Sequence, residues 1–128
     1  MPRLQWFFIF VAVHGLFLVA VSISISMLRI KYRISYGDGD NTLLRKAIRI
    51  HVNGIEQVPI FGLLILALAL MGISETVMAV LVVLFTAARL SHGYGMLRKR
   101  RLFRQFCAAF TYLSQITAIV LVATLLVV

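Results

Sequence analysis

The chain is short of acid and of cysteine. Four Asp and Glu stand against 13 Lys and Arg, a formal net charge of +9 over 128 residues. With one cysteine, Cys107, an internal disulfide is excluded and the redox compartment stays open. Flanked by Phe106 and Ala108, it reads as a small packing residue. No His or Cys cluster has the spacing of metal ligands, so no metal site is expected. No G-x-x-x-x-G-K-[ST] and no dinucleotide fingerprint occurs, which argues against the common nucleotide-dependent chemistries. Nothing suggests a Ser–His–Asp arrangement, an internal repeat or a low-complexity segment.

Apolar residues, by contrast, are abundant at 62%. A soluble domain of this length is roughly half apolar, so the composition predicts a membrane protein, and the length predicts one domain over residues 1–128. Four apolar segments run from Leu4 to Leu28, Ile55 to Ile73, Thr76 to Leu90 and Phe106 to Val128. A helical span needs about 20 residues. The first, second and fourth qualify alone. The third is short, but Arg89 can snorkel to the interface and the helix can continue past His92. Within hydrocarbon only helices or closed barrels satisfy the backbone, and these runs are too long for barrel strands. The expected fold is an all-α transmembrane bundle of four helices. The first segment exceeds the apolar core of a signal peptide and is kept as a span. Within it, the hydroxyls of the alternating "SISIS" (Ser22 to Ser26) are expected to bond to carbonyls of the preceding turn.

The connections differ in charge. The first carries Arg29, Lys31, Arg33, Arg45, Lys46 and Arg49 around a turn-forming "YGDGDN", with Asn41 or Thr42 as the next helix cap. The second, "GISET", has one acid and no base; the third carries Arg98, Lys99, Arg100, Arg101 and Arg104. Both basic loops therefore share a side, cytoplasmic by the positive-inside rule, and both termini fall outside; Arg3 weighs against this but is outvoted. Bases beside apolar runs point to anionic headgroups or an anionic small ligand rather than to nucleic acid.

One polar constellation remains. With the second helix starting near Asn41, Arg45, Arg49, Asn53 and Glu56 fall within about 80° of arc. His51 lies off that stripe, and Pro59 follows one turn below Glu56. A snorkelling basic end with a packing Glu–Arg pair would give the same spacing. Yet Asn53 and Glu56 lie progressively deeper, and an ionisable group within a span is by default a functional hypothesis. Arg29 and Arg33 close the first helix; Arg89 and His92 share a face at the end of the third; Tyr94 fits an aromatic belt. Guanidiniums and one carboxylate converging on one membrane face match a ligand with two carboxylates and one ammonium, because Arg forks bind carboxylates in bidentate fashion. Glutathione has that layout.

The spacing R-x-x-x-N-x-x-E-x-x-P, here Arg49, Asn53, Glu56 and Pro59, resembles the second-helix signature of the MAPEG family, the membrane-associated proteins in eicosanoid and glutathione metabolism. The four-span layout, the long first loop and the R-L-x-H from Arg89 to His92 are similar too, and the resemblance covers essentially the whole chain. It implies a homotrimer with glutathione bound between subunits near the cytoplasmic side. Arg29, Arg45, Arg49, His51, Asn53, Glu56, Arg89, His92, Tyr94 and Arg101 then become candidate glutathione contacts. Arg104, at the start of the fourth helix, becomes the residue that stabilises the thiolate, with Arg101 as the alternative. Relatives often carry a tyrosine one turn beyond the His92 position, where this chain has Met96. The activity implied is a glutathione transferase acting on hydrophobic electrophiles from the bilayer. A small four-helix multidrug-type transporter and a non-catalytic lipid- or partner-binding member are the alternatives. The compact chain and short loops predict a bacterial inner-membrane protein.

Overall fold

The structure, a computed structural model, describes residues 2–128. It contains α1 (Pro2–Tyr32), α2 (Thr42–Leu70), α3 (Glu75–Leu97) and α4 (Arg101–Val127), each long and apolar enough to cross a membrane. The protein is an all-α, four-helix membrane-spanning bundle. The helices run past the apolar segments wherever local bonds can continue into the polar region. Thus α1 reaches Tyr32, α3 reaches Leu97, and α4 begins at Arg101 rather than Phe106, leaving only Arg98–Arg100 as the third connection. Asn41 caps α2, its side-chain Oδ1 accepting from the Leu44 amide at 2.9 Å. Within α1, the Ser24 hydroxyl donates to the Ala20 carbonyl at 2.9 Å, so the serine-rich stretch is helical as expected.

Both basic connections open with the same device. The Ile34 amide donates to the Arg29 carbonyl at 3.0 Å across Arg33 (φ 54°), and the Arg100 amide to the Gly95 carbonyl at 3.0 Å across Lys99 (φ 56°). Such helix ends usually place glycine at the left-handed position; here a cation stands there, with its charge favourably near the helix C-terminus. At the opposite end of the bundle, Gly72 (φ 85°) fills the equivalent position after α2.

Packing is not a square bundle. α1 lies chiefly on α2 and α4 on α3, while α2 and α3 touch each other and every other helix; the described residues of α1 make no close approach to α4. The Lys46 ammonium donates to the Leu97 carbonyl at 3.2 Å, fixing both basic connections at one end. The core sits chiefly between α1, α2 and α3, with Ala118 of α4 joining it. Phe61 and Phe85 stack at 3.9 Å with their rings 5° from parallel, and Phe10 tilts against both at 5.6 and 5.8 Å. His14, fully buried beside them, shares a 3.0 Å hydrogen bond with Thr86 Oγ1. Gln115 on α4 donates to the side-chain and backbone oxygens of Gln57 on α2, at 2.8 and 3.3 Å.

Helix separation is set at glycines. A Cβ on Gly62 would meet Phe10 Cε1 at 3.1 Å, and Phe10 is held by Phe61, Phe85 and His14. A Cβ on Gly15 would meet nothing within 4 Å. Overpacking a filled core costs about 1–3 kcal/mol, whereas Gly→Ala in open helix gains up to about 1 kcal/mol. Gly62→Val should therefore lower the thermal midpoint in mild detergent, and Gly15→Ala should leave it unchanged or raise it. Circular dichroism melts of the two variants check this; equal midpoints would show that α1 and α2 do not pack through Gly62.

In the first connection Asp38 accepts from Arg45 Nε at 2.6 Å, and Arg45 also approaches Asp40 at 3.5 Å. The hydrogen bond from Arg45, aided by the Asp40 amide, holds the Asp38 carboxyl below its ordinary value. A depressed carboxylate contributes order above its unfolded pKa and loses it as pH falls through the folded one. The loop should stay ordered down to the ordinary aspartate range and loosen only below it. Amide exchange at Gly39 and Asp40 reads this out, and Asp38→Asn should abolish the pH step.

Candidate functional site

Three helices converge at the basic end. The α2 stripe faces the end of α3 and the first turns of α4, enclosing a hollow of about 510 Å³ lined by Arg49, Asn53, Glu56, His92, Met96 and Arg104, with Ile48 and Val52 at its wall. An apolar crevice of about 310 Å³ between α1 and α2, and another hollow near the termini that Arg3 and Glu75 line, hold fewer of the expected groups. The convergence follows from helical spacing. Arg49, Asn53 and Glu56 repeat at four and three residues on α2, and His92 and Met96 at four on α3, so each set shares a face.

Charge within the hollow is not settled inside the chain. Among the described residues the ion pairs are those of Arg45 with Asp38 and Asp40; Arg49, Glu56 and Arg104 take part in none. Arg104 Nη1 donates to the Met96 sulfur at 3.5 Å, a weak acceptor for a guanidinium. The hollow thus offers two guanidiniums, one carboxylate, an amide and an imidazole. His92 is 7% exposed, and its Nδ1 has no hydrogen-bond partner among the described residues.

Arg89 does not line the hollow. It is 6% exposed, and its Nη2 donates to Asn53 Oδ1, so it stands behind Asn53 and fixes that amide from the core side. With Oδ1 engaged, Asn53 has its NH₂ group left to offer a ligand.

The remaining candidates are placed elsewhere within the single chain. Arg29 donates to the Gly37 carbonyl at 2.8 Å and, more weakly, to that of Ile34 at 3.5 Å, bracing the first connection. Arg45 is engaged with Asp38 and Asp40 and borders the hollow's outer rim. Arg101 lies on that rim and not in the hollow. His51 is off the stripe, as its spacing predicts. Tyr94 is exposed, edge-on to Phe103 at 6.3 Å, with the Arg98 guanidinium 5.9 Å from its ring centre. Sequence reasoning did not foresee that Lys46 and Lys99 join the rim, nor the buried His14; a histidine in mid-span is costly enough to have signalled a partner.

The match to the MAPEG family model extends over residues 7–124, which includes α2 and α3 and all but the last turn of α4. The protein belongs to the MAPEG family. This MAPEG protein is also 35% identical over 96 residues to "Inner membrane protein YecN" of Escherichia coli K12 and equally to that of Escherichia coli O6:H1 strain CFT073, covering 75% of this chain and 72% of each relative. Membership supports the expected family and the integral, multi-pass character; the family includes glutathione-dependent and lipid-binding membrane enzymes.

A hydrogen bond to a charged group contributes about 1.5–3 kcal/mol, and removing one partner leaves the other buried and unsatisfied. Asn53→Ala should therefore destabilise the protein by about 2 kcal/mol, because Arg89 loses the acceptor it holds. Asn53→Asp keeps an acceptor and adds an opposite charge, so it should retain the wild-type midpoint or exceed it. Thermal melts in detergent compare the three; a stable Asn53→Ala variant would mean that Arg89 is satisfied by other groups.

Proposed function

We propose that the protein is a glutathione transferase of the membrane, conjugating or reducing hydrophobic electrophiles that arrive through the bilayer. The observation that carries this reading is the convergence of Arg49, Asn53, Glu56, His92 and Arg104 on one open hollow. Two guanidiniums and a carboxylate mirror the two carboxylates and one ammonium of glutathione. Arg49 would take a carboxylate through its fork, Glu56 the ammonium, and the Asn53 NH₂ group a carbonyl or carboxylate oxygen. Arg29, Arg45, His51, Arg89, Tyr94 and Arg101 support this set from the rim, from behind, or from a neighbouring subunit.

Arg104 is assigned to the thiol. It lies on the first turn of α4, and its nearest partner is a thioether rather than a carboxylate, so its charge is free to act on a ligand. Lowering a thiol pKa by two to three units takes roughly 3–4 kcal/mol at about 1.4 per unit. One cation at about 4 Å supplies that much at the effective dielectric of a protein surface. The thiolate then attacks the electrophilic atom, forming a bond to sulfur as the electron pair passes to the leaving group or to an adjacent atom that takes up a proton. Arg101 faces the rim alone and is the weaker candidate for this role.

The assembly proposed is a homotrimer. Glu56 lies fourteen residues beyond Thr42, about 21 Å along α2, and is exposed on the single chain. A carboxylate facing lipid at that depth is costly; a neighbouring copy covers it and closes the hollow. The basic connections face the cytoplasm, both termini lie outside, and the bacterial inner membrane is the proposed location, in keeping with the printed name of the Escherichia coli relatives.

One observation favours a second reading, a non-catalytic member that binds lipid or a partner: Met96, where relatives often carry a tyrosine, is the side chain touching Arg104. The ultraviolet difference spectrum separates the two. Purified protein with glutathione should show thiolate absorbance at neutral pH, lost in Arg104→Ala and retained in Arg101→Ala, with turnover of a generic aromatic electrophile falling about 10²–10³-fold in the first. Glu56→Gln should weaken glutathione binding by calorimetry without preventing assembly, truncation of a desolvated charge pair commonly costing about 2–5 kcal/mol. Absence of a thiolate signal in the wild type would leave the binding reading standing and remove the enzymatic one.

A further inference from the structure

A second cleft of about 250 Å³ opens beside the hollow, between the start of α2, the end of α3 and the start of α4. Its charged lining is Arg45, Lys46, Arg49, Lys99, Arg101 and Arg104: six cations and no acid. Asp38 and Asp40 neutralise Arg45 from the far side, while Lys46 donates to a backbone carbonyl that carries no charge. The inner hollow contains Glu56 and suits a zwitterion; the outer cleft suits a ligand that is anionic throughout.

Depth shows where that anion resides. At 1.5 Å per residue, the 29-residue α2 is about 43 Å long, against a hydrocarbon core of about 30 Å. Its far end, from Ile60 to Leu70, has no polar side chain, so the surplus length projects at the basic end. The stretch from Thr42 to Arg49 covers about 10 Å of it and lies at the level of the headgroups. On the same helix turns as the cleft's α2 and α4 residues, Leu43, Leu102 and Phe106 are exposed, giving acyl chains an apolar surface at the same level as the charge. A soluble anion would have no use for that surface.

We propose that this cleft is a binding site for the phosphate headgroup of an anionic phospholipid, suited best to a headgroup with two phosphates. Basic recesses between transmembrane helices on the cytoplasmic side take headgroups of that class. Arg forks grip phosphate oxygens in pairs, and Lys46 and Lys99 act as point charges between them. The cleft shares Arg49 and Arg104 with the inner hollow, whereas Lys46, Lys99 and Arg101 line the cleft and not the hollow.

The test counts lipids on the intact protein. Protein in neutral detergent is titrated with phosphatidylcholine or with diphosphatidylglycerol, and bound lipid is read by native mass spectrometry. Each cation near the membrane surface contributes about a fivefold factor, so the triple variant Lys46→Gln, Lys99→Gln, Arg101→Gln should bind diphosphatidylglycerol about a hundredfold more weakly. Arg33→Gln, Arg98→Gln, Arg100→Gln removes the same charge at the same end but outside the cleft, and should keep affinity within about fivefold at physiological salt, where outlying charges are screened. Because Lys46 also braces α3, the double variant Lys99→Gln, Arg101→Gln leaves that bond intact and should still show a loss of about twenty-fivefold. Equal binding of the two lipids, or equal losses in the cleft and outlying triples, overturns the proposal. Displacement by inorganic phosphate at an ionic strength where chloride leaves the lipid in place overturns it too, since the ligand would then come from solution.

Discussion

Hydrocarbon offers a peptide group no partner, and the rest of the structure depends on that constraint. Each crossing must close its own backbone bonds, so the chain is four helices joined at the surfaces. The rule extends to side chains. Thr111, Ser114, Thr117 and Thr124 on α4 all return their hydroxyls to a carbonyl four residues back. Gln57 and Gln115 pair across two helices, and His14 Nε2 pairs with Thr86 Oγ1, while the buried His14 Nδ1 has no partner among the described residues. Most of the charged groups lie instead toward the basic end, where α2, α3 and α4 open the two recesses.

Within those recesses a gradient of charge runs along α2. Arg45 at the first turn is tied to loop carboxylates, Arg49 a turn deeper is shared by cleft and hollow, Asn53 is locked to Arg89, and Glu56 lies deepest. Each step inward exchanges a charge that water can solvate for a group that needs a defined partner. Arg89 makes the deeper half rigid: a buried guanidinium with an amide acceptor in place of a carboxylate keeps its full positive charge behind the hollow, favouring anionic ligands in front of it.

What the sequence disclosed divides along the same lines. Periodicity on one helix was readable, because Arg45, Arg49, Asn53 and Glu56 need only a 3.6-residue repeat to share a face, and the structure places them along one wall. Helix ends were less so. Hydropathy reports where hydrocarbon stops, whereas the helices run on through the headgroup layer, carrying Arg29 and Lys31 on α1 and Arg101 and Arg104 on α4. Least readable was the register between helices. Nothing in the spacing of α3 tells that Met96 turns toward Arg104 while Tyr94 turns to Phe103 and Arg98, or that Arg89 stands behind Asn53 instead of beside it. Met96 and Tyr94 meet α4 where it approaches Gly95 closely, a Cβ there meeting Phe103 at 3.0 Å, whereas Arg89 is placed by its bond to α2.

The separation of α1 from α4 has a consequence for how copies join. With the backbones of α1 and α4 held apart on opposite sides of α2 and α3, the described bundle has two unlike edges, one presenting α1 and the other α4. Where the α1 edge of one copy meets the α4 edge of the next, the pairing is head to tail, and such heterologous contacts either close into a ring or continue without limit. In the plane of a bilayer, the turn from one copy to the next sets the number that closes the ring. For the proposed trimer, each subunit would lend one edge to each neighbour, and every recess at the basic end would have the same surroundings.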